Sequence, residues 1–336
     1  MNADPALVLA GLVLAHLVAD FVLQSDRIVS DKAGPGGRAV RGLGLHALGV
    51  AVCLVPFVAV FGTPAVWLLV TVTASHVVVD RLKAVATRRA EARALAEVRS
   101  RHQPAGSSAV ALGPAWTPAP AALFVADQLV HGAILVAAWL VWLSAATPLP
   151  EAASTIDRLL GTWDRAVVHE AALVTAVLAS LAIVNVRAGA VFVAVLVHPR
   201  ESVTGAALPD DRRSPSVAAQ PGPRAWRLRA GPFEATAEPL APERPDAPDP
   251  PGRGHASPAR VGATIGIIER LLIATFVLTG NQAAIGFVVA AKTIARFRQL
   301  DDRDFAEYYL LGTLASVGVA LVSALLAAAA LGTLPR

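Results

Sequence analysis

Residues 65–83 read AVWLLVTVTASHVVVDRLK, an apolar run in which His76 and Asp80 stand four residues apart. A helix needs about 20 mostly apolar residues to cross roughly 30 Å of hydrocarbon, so this stretch predicts a transmembrane helix. A charged side chain inside a membrane costs about 2.5–3.5 kcal/mol even on the lenient insertion scale, so both residues should have partners on other helices. The stretch therefore predicts a helical membrane protein whose polar residues meet in its interior.

The composition of the whole chain agrees with a membrane protein. Of its 336 residues, 55% are hydrophobic and 16% are charged, whereas about a quarter of a soluble chain is charged. The single cysteine, Cys53, excludes an internal disulfide and any site built from several cysteines. We predict an all-α polytopic membrane protein with about eight transmembrane helices. Their predicted positions are 5–24, 43–61, 65–83, 119–144, 166–197, 262–280, 282–298 and 306–332.

The distribution of apolar and proline-rich sequence divides the chain into four regions. Residues 1–145 form an N-terminal four-helix membrane domain, 146–198 a linking transmembrane helix, and 261–336 a C-terminal helical membrane segment. In that last segment the sixth and seventh spans, separated only by Gly280-Asn281-Gln282, could instead form a re-entrant hairpin. Residues 199–260 hold 13 of the 24 prolines and no periodic pattern. This composition predicts a disordered cytoplasmic loop that could recruit a cytosolic partner.

Positive charge predicts how the chain is oriented. The loop after the first span carries Arg27, Lys32, Arg38 and Arg41, whereas the turn at 62–64 carries no basic residue. Cytoplasmic loops hold an excess of Lys and Arg, so both termini should face away from the cytoplasm. The arginines flank apolar spans, which indicates contact with membrane lipids rather than with nucleic acid. An arginine-rich run after the third span can continue that helix out of the membrane, whereas the fifth span is long enough to break near Asn185 and Arg187.

Three pairs of histidine and aspartate occur within the predicted spans. Each pair is four residues apart, which places both side chains on one face of a helix. The pair on the fourth span is reversed in order, and that span also runs in the opposite direction, so all three pairs lie at the same depth. His46 joins them near the start of the second span. The pairs are His16 and Asp20, His76 and Asp80, and Asp127 and His131.

Histidine nitrogen with carboxylate oxygen and no thiolate is the ligand set of zinc, manganese or iron. We therefore predict a site for one or two divalent transition-metal ions. The predicted ligands are His16, Asp20, His46, His76, Asp80, Asp127 and His131. Three of them, Asp20, Asp80 and Asp127, are also candidate catalytic groups. A metal-free polar network and a proton-conducting cluster are the alternatives.

Basic residues form a second layer near the same end of the spans. Three of them, Lys83, Arg270 and Lys292, could contact a phosphate or a carboxylate, and Arg296 lies one turn after Lys292. All four are predicted substrate-binding residues. Lys and Arg near span ends also commonly extend toward the interface without any ligand, which is the alternative interpretation.

The N-terminal part of the chain resembles a bacterial membrane family named domain of unknown function 3307. The resemblance rests on spaced motifs in about residues 6–140. They are His16-x-x-x-Asp20-Phe21-x-x-Gln24, Lys32, His46, His76-x-x-x-Asp80-x-x-Lys83 and Asp127-Gln128-x-x-His131. The segment from Ile268 to Tyr309 is similar to the C-terminal part of longer members. The resemblance implies a multi-pass protein of the bacterial inner membrane and supplies no established activity.

A looser similarity, through helical His-x-x-x-Asp motifs, is to inner-membrane proteins assigned as metal-dependent hydrolases. It favours a metal-dependent hydrolase or phosphotransferase acting at the cytoplasmic leaflet on a lipid-linked or amphipathic phosphoester. A transporter for metal ions or protons is the second hypothesis, because intramembrane ionisable residues often mark such pathways. A membrane assembly factor with a structural His/Asp cluster is the third.

Overall fold

The computed structural model describes residues 4–34, 36–102, 116–197, 226–230, 233–237, 258–301 and 303–332. It is almost entirely helical outside one short hairpin. The α-helices are α1 (Pro5–Phe21), α2 (Asp26–Ala33), α3 (Gly37–Phe61), α4 (Thr63–His102), α5 (Ala119–Trp142), α6 (Pro150–Leu160), α7 (Arg165–Ile183), α8 (Gly189–Val197), α9 (Pro258–Leu278), α10 (Ala283–Ala295) and α11 (Arg303–Ala330).

The number of membrane spans is smaller than predicted. Within the described residues, five helices are long and apolar enough to cross a membrane, and a sixth span exists if α1 and α2 count as one bent span. The predicted count of eight is therefore not confirmed. Helix α10 has 13 residues, which at 1.5 Å per residue reaches only about 20 Å and falls short of the hydrocarbon thickness.

The first predicted span ends earlier than expected. Helix α1 stops at Phe21, and the chain turns by 77° into α2. Ser25 caps α2 by accepting a hydrogen bond from the backbone N–H of Ile28, and Asp26 lies in its first turn, where the helix dipole favours a negative charge. Helix α2 was predicted as a loop because its polar sequence has no apolar stripe. The turn brings Lys32 back toward the other helices.

Gly42 on α3 allows α2 to approach closely. A Cβ atom at this position would lie 2.5 Å from the backbone nitrogen of Lys32 and 2.9 Å from the backbone carbon of Asp31. We expect Gly42→Ala to lower the thermal unfolding temperature in detergent, at a cost of about 1–3 kcal/mol, because backbone atoms must move. Gly44→Ala is the matched control, since nothing lies within 4 Å of its Cβ position. Equal stability of the two variants would contradict this packing.

Helix α4 is the longest element of the protein. It runs without a break through 40 residues, about 60 Å, so its C-terminal half extends beyond the hydrocarbon as the arginine-rich run predicts. In its apolar half it packs between α3 and α5. The core at that level is made of fully buried apolar side chains. They include Leu12, Val50, Leu54, Ala65, Leu68 and Leu135.

A π-helix at Val184–Ala188 interrupts the span that follows α6. The interruption coincides with the predicted break near Asn185 and Arg187. The N–H of Gly189 bonds to the carbonyl of Val184, five residues back, in place of the usual four. Helix α11 packs against α7, the π-helix and α8, and α9 joins them through Ala274 and Val277.

The structure describes one hairpin within the proline-rich region. Strands β1 (Trp226–Ala230) and β2 (Phe233–Ala237) pair antiparallel, with Trp226 opposite Ala237. These strands are not predicted from the sequence, which shows no alternating pattern in this region. The remaining residues of the predicted disordered loop lie outside the described residues until α9 begins. Residues Val203–Pro258 form a separate unit from the helical body.

Candidate functional site

Four helices bring the predicted ligands into one cluster. Helix α1 contributes His16 and Asp20, α3 contributes His46, α4 contributes His76 and Asp80, and α5 contributes Asp127 and His131. The side chains of His16 and Asp20 are 9% and 8% exposed, and the other five residues are buried. The i, i+4 spacing on three helices places each pair on the inward face, as the sequence predicts.

Three side-chain atoms form a tight triangle at the centre of this cluster. The Nε2 atoms of His46 and His76 are 2.8 Å apart, and Asp20 Oδ1 lies 3.4 Å from the first and 3.2 Å from the second. Ligands about 2.0–2.2 Å from a tetrahedral zinc ion are separated from one another by roughly 3.3–3.6 Å. The triangle therefore has the size of one face of a metal coordination shell. A hydrogen bond from one ring to the other fits the short nitrogen pair equally well.

Further ligand atoms surround the triangle. Asp80 Oδ2 lies 3.5 Å from His46 Nε2, and the ring of His131 stacks on that of His76 with centroids 4.0 Å apart. Six of the seven predicted ligands occur in three overlapping groups whose donor atoms all lie within 4.8 Å of one another. These groups are His16, Asp20 and His131; Asp20, His46 and His76; and His76, Asp80 and His131. Asp127 belongs to none of these three groups.

Two lysines neutralise two of the three carboxylates. Lys32 Nζ donates to Asp80 Oδ2 at 2.6 Å, and Lys83 Nζ donates to Asp127 Oδ2 at 2.7 Å. Asp20 has no lysine among the described residues; its Oδ2 accepts only a 3.3 Å hydrogen bond from Gln128. Buried charges are stable when they are paired or coordinate a metal. Asp20 is therefore the carboxylate whose surroundings most need a cation.

Several buried polar atoms of the cluster have no hydrogen-bond partner in the part of the chain that the structure describes. Among them are Asp20 Oδ1, His16 Nε2 and both ring nitrogens of His131. Buried polar groups in proteins are nearly always paired, so such atoms need an explanation. A bound cation would account for Asp20 Oδ1, which lies at the triangle. The residues present thus fit a divalent ion.

A cavity of about 620 Å³ adjoins the cluster. Both Asp20 and Asp80 line it, so the carboxylates of the centre are reached from this space. Its other charged or polar lining includes Lys32, Lys83, Arg187 and Gln128, and its apolar lining includes Phe21, Val29, Phe124, Val191 and Val195. A cavity that combines cationic side chains with apolar walls suits an anionic molecule that also has an apolar part.

Residues 8–160 match the family model described as protein of unknown function (DUF3307). The chain contains a DUF3307 domain. The matched region includes every member of the His/Asp cluster and both lysines that pair with it. Comparisons with curated proteins and with solved structures gave no match, so the looser similarity to metal-dependent hydrolases has no support from them.

The predicted substrate-binding residues fall into two places. Lys83, in the DUF3307 domain, lines the cavity and also lies over the ring of Phe124. The other three follow the domain and are not among the residues that line the cavity. Arg270 is buried and donates to the backbone oxygen of Asn185. Lys292 pairs with Glu269 at 2.6 Å. Arg296 follows α10 and donates to Gln299 in the exposed 3₁₀ turn at Phe297–Gln299.

One cationic residue of the cavity, Arg187, is not among the site residues predicted from the sequence. Arg187 lies on the π-helix, beyond the DUF3307 domain, and lines the cavity together with Asp20 and Asp80. Its position next to a predicted helix break was the available signal. The two glutamines, Gln24 and Gln128, were noted only as part of the family motifs. They bond to Lys32 and Asp20, respectively, and so help to hold the charged groups.

Proposed function

We propose that this protein is a metal-dependent membrane hydrolase or phosphotransferase that acts at the cytoplasmic leaflet of a bacterial inner membrane. Its substrate would be an amphipathic or lipid-linked phosphoester. The observation that carries the proposal is the buried Asp20, His46 and His76 triangle, which adjoins a cavity containing basic and apolar side chains. A metal centre with three protein ligands and an open position is the usual arrangement of catalytic zinc.

The residues that would hold the metal are Asp20, His46 and His76. Their nitrogen and oxygen donors suit zinc, manganese or iron. When bound, such an ion supplies Lewis acidity at a phosphoryl group and makes a water molecule easier to deprotonate. A second ion would use His16 and His131, which share a ligand group with Asp20.

The remaining groups of the cluster have roles that follow from their contacts. Asp80 faces the cavity and is within reach of a water molecule there, so it is our first candidate for a general base. Asp127 Oδ1 lies 3.6 Å from His131 Nδ1, which suits it to orient that ring. Lys32 and Lys83 place positive charge at the cavity wall, where a phosphate would lie.

The apolar core beyond the cluster favours an enzyme over a transporter. Leu12 and Leu68 are fully buried and Leu54 is 2% exposed, and they pack together on the side of the cluster away from the cavity. An ion or a proton crossing the protein would have to pass through this packed layer. A transporter usually holds its substrate at a site that is reached alternately from the two sides of the membrane. The arrangement therefore supports a site reached from one side.

The proposal is tested by metal content and activity together. Protein purified in neutral detergent should retain about one equivalent or more of a transition metal and hydrolyse a phosphoester probe such as bis(p-nitrophenyl) phosphate. His46→Ala should lose both, because it removes one corner of the triangle. His169→Ala, which changes an exposed histidine of α7, is the matched control and should keep both. Wild-type protein without bound transition metal after metal-supplemented purification would contradict the proposal.

A further inference from the structure

The cavity beside the cluster contains three cationic side chains, and one of them differs from the other two. Lys32 and Lys83 each donate to a buried carboxylate. Arg187 is exposed to the cavity and forms no hydrogen bond or ion pair with any residue that the structure describes. Among the described residues, its guanidinium is therefore the cationic group of the cavity that has no protein partner.

The π-helix that carries Arg187 is held by a specific contact. A π-helix changes the backbone bonding by one residue, and here the carbonyl of Asn185 accepts a 2.6 Å hydrogen bond from Nε of Arg270. Arg270 comes from α9 and also donates to Ser316 of α11 at 3.2 Å. Arg270 of α9, itself held by Ser316 of α11, therefore fixes the backbone two residues before Arg187.

A glycine makes room for the contact between Arg270 and the π-helix. Gly189 follows the π-helix, and a Cβ atom there would lie 3.0 Å from Nε and 3.1 Å from Cδ of Arg270. Arg270 is only 2% exposed, so its side chain has little freedom to move aside. Burying an arginine is costly, and the contacts of Nε and Nη1 offset part of that cost, whereas Nη2 has no partner among the described residues. Arg270 is thus a positioning residue rather than a ligand contact.

Apolar side chains continue from Arg187 along the same wall. Val191 and Val195 follow it at intervals of four residues, so all three lie on one helix face, and all three line the cavity. The wall therefore has a cationic group at one end and an apolar stripe beyond it. This is complementary to an anion that carries an alkyl chain.

Charge balance indicates the kind of anion. The charged residues lining the cavity are three acids, Asp20, Asp26 and Asp80, and three bases, Lys32, Lys83 and Arg187. Asp127 does not line the cavity but pairs with Lys83, so it belongs to the same balance and brings the formal charge to −1. A divalent cation at the triangle therefore leaves one positive charge in excess. A phosphate monoester carries about −1.5 to −2 charges at neutral pH, which is enough to balance this excess. Arginine binds phosphate oxygens in a bidentate manner, which a lysine cannot do.

We propose that Arg187, presented by the π-helix that Arg270 holds, binds the phosphate group of a single-chain phosphate amphiphile whose alkyl chain lies along Val191 and Val195. This inference rests on the proposed function for its charge balance. It adds Arg187 as the residue that selects the substrate, and single-chain phosphate amphiphiles as the substrate class.

The test is a binding measurement in maltoside micelles with two probes, dodecyl phosphate and inorganic phosphate. We expect the metal-loaded wild type to bind dodecyl phosphate at least tenfold more tightly than inorganic phosphate. Arg187→Ala should weaken dodecyl phosphate binding tenfold or more without changing metal content. Arg158→Ala, on the exposed helix α6, is the matched control and should change neither. Unchanged binding by Arg187→Ala, or equal affinity for both probes, would overturn the inference.

The role of Arg270 is tested by rescue and by a double variant. Arg270→Gln should weaken dodecyl phosphate binding, Arg270→Lys should recover most of it by donating to Asn185, and Arg187→Ala combined with Arg270→Gln should bind no worse than Arg187→Ala alone. If Arg270→Gln does not fold, Gly189→Ala gives a second disturbance of the same contact. Additive losses in the double variant would overturn the positioning role.

The two proposals fail in different ways in these measurements. Protein that binds dodecyl phosphate through Arg187 but holds no transition metal would disprove the metal-dependent function and leave Arg187 as an anion-binding residue. Protein that holds metal through Asp20 but does not bind dodecyl phosphate would overturn the inference about Arg187 and leave the metal centre intact.

Discussion

Lys32→Met should destabilise the metal-free protein by about 3–5 kcal/mol, the largest effect that we expect from a single substitution. The ammonium group of Lys32 lies 2.6 Å from Asp80 Oδ2, and the two side chains are 13% and 6% exposed. Methionine fills the same space but leaves Asp80 as a buried carboxylate without a cation. Thermal unfolding in detergent with a chelator present measures the effect, since a bound metal would partly replace the lysine.

A second substitution shows whether charge is the cause. Adding Asp80→Asn to Lys32→Met should restore most of the lost stability, because the unpaired charge is removed. Arg88→Met is the matched control: Arg88 is a basic residue of α4 that donates to the backbone of α2 on the surface. A loss of stability that persists in the double variant would mean that the lysine acts through packing alone.

Asp20→Asn should reduce zinc affinity at least about a hundredfold, whereas Asp127→Asn should reduce it about tenfold or less. Asp20 Oδ1 lies within 3.4 Å of both histidine nitrogens of the triangle. Asp127 Oδ2 is instead bonded to Lys83 and Gln128, so the amide keeps part of its contacts. Competition with a chelating dye measures both affinities. Equal losses in the two variants would contradict the assignment of ligands.

The same pair of variants should differ in stability when no metal is present. Asp20→Asn removes a buried carboxylate that no lysine neutralises, so it should leave the metal-free protein as stable or more stable. Asp127→Asn leaves Lys83 without its carboxylate and should lower stability. Since Lys83 is 30% exposed, water offsets part of that cost. Thermal unfolding in the presence of a chelator should show an unchanged or higher unfolding temperature for Asp20→Asn and a lower one for Asp127→Asn.

The convergence of the seven His and Asp side chains could be predicted because it depends only on helix geometry. Each His/Asp pair has a spacing of four residues, and the reversal of order on the fourth predicted span matches the reversal of chain direction. These facts fix both face and depth without any knowledge of the fold. His46 could be assigned to the same cluster because its predicted depth in the membrane matches that of the three pairs. The structure brings all seven residues together for these reasons.

The pairing of carboxylates with lysines could not be predicted in the same way. Lys83 follows Asp80 by three residues on α4, yet it bonds to Asp127 on α5, whereas Asp80 bonds to Lys32. The choice depends on the 77° turn between α1 and α2, which carries Lys32 back over the cluster. A short polar helix such as α2 has no apolar stripe that would reveal it in the sequence.

The predicted count of eight spans is not confirmed, for a related reason. Hydropathy measures whether a segment is apolar enough to cross a membrane, but it does not measure how long the helix is. Residues 282–298 are apolar, yet α10 covers only Ala283–Ala295 before a 3₁₀ turn at Phe297–Gln299. Arg187 was missed because the π-helix turns it toward the cavity, and periodicity analysis assumes a regular helix.

The wall formed by Arg187, Val191 and Val195 lies after the region that matches the family, residues 8–160. A chain reduced to that region would keep every predicted metal ligand but would lose this wall of the cavity. Under the two proposals made above, selectivity for one amphiphile over another belongs to a different stretch of polypeptide from the one that performs the chemistry. The two can therefore diverge independently during evolution.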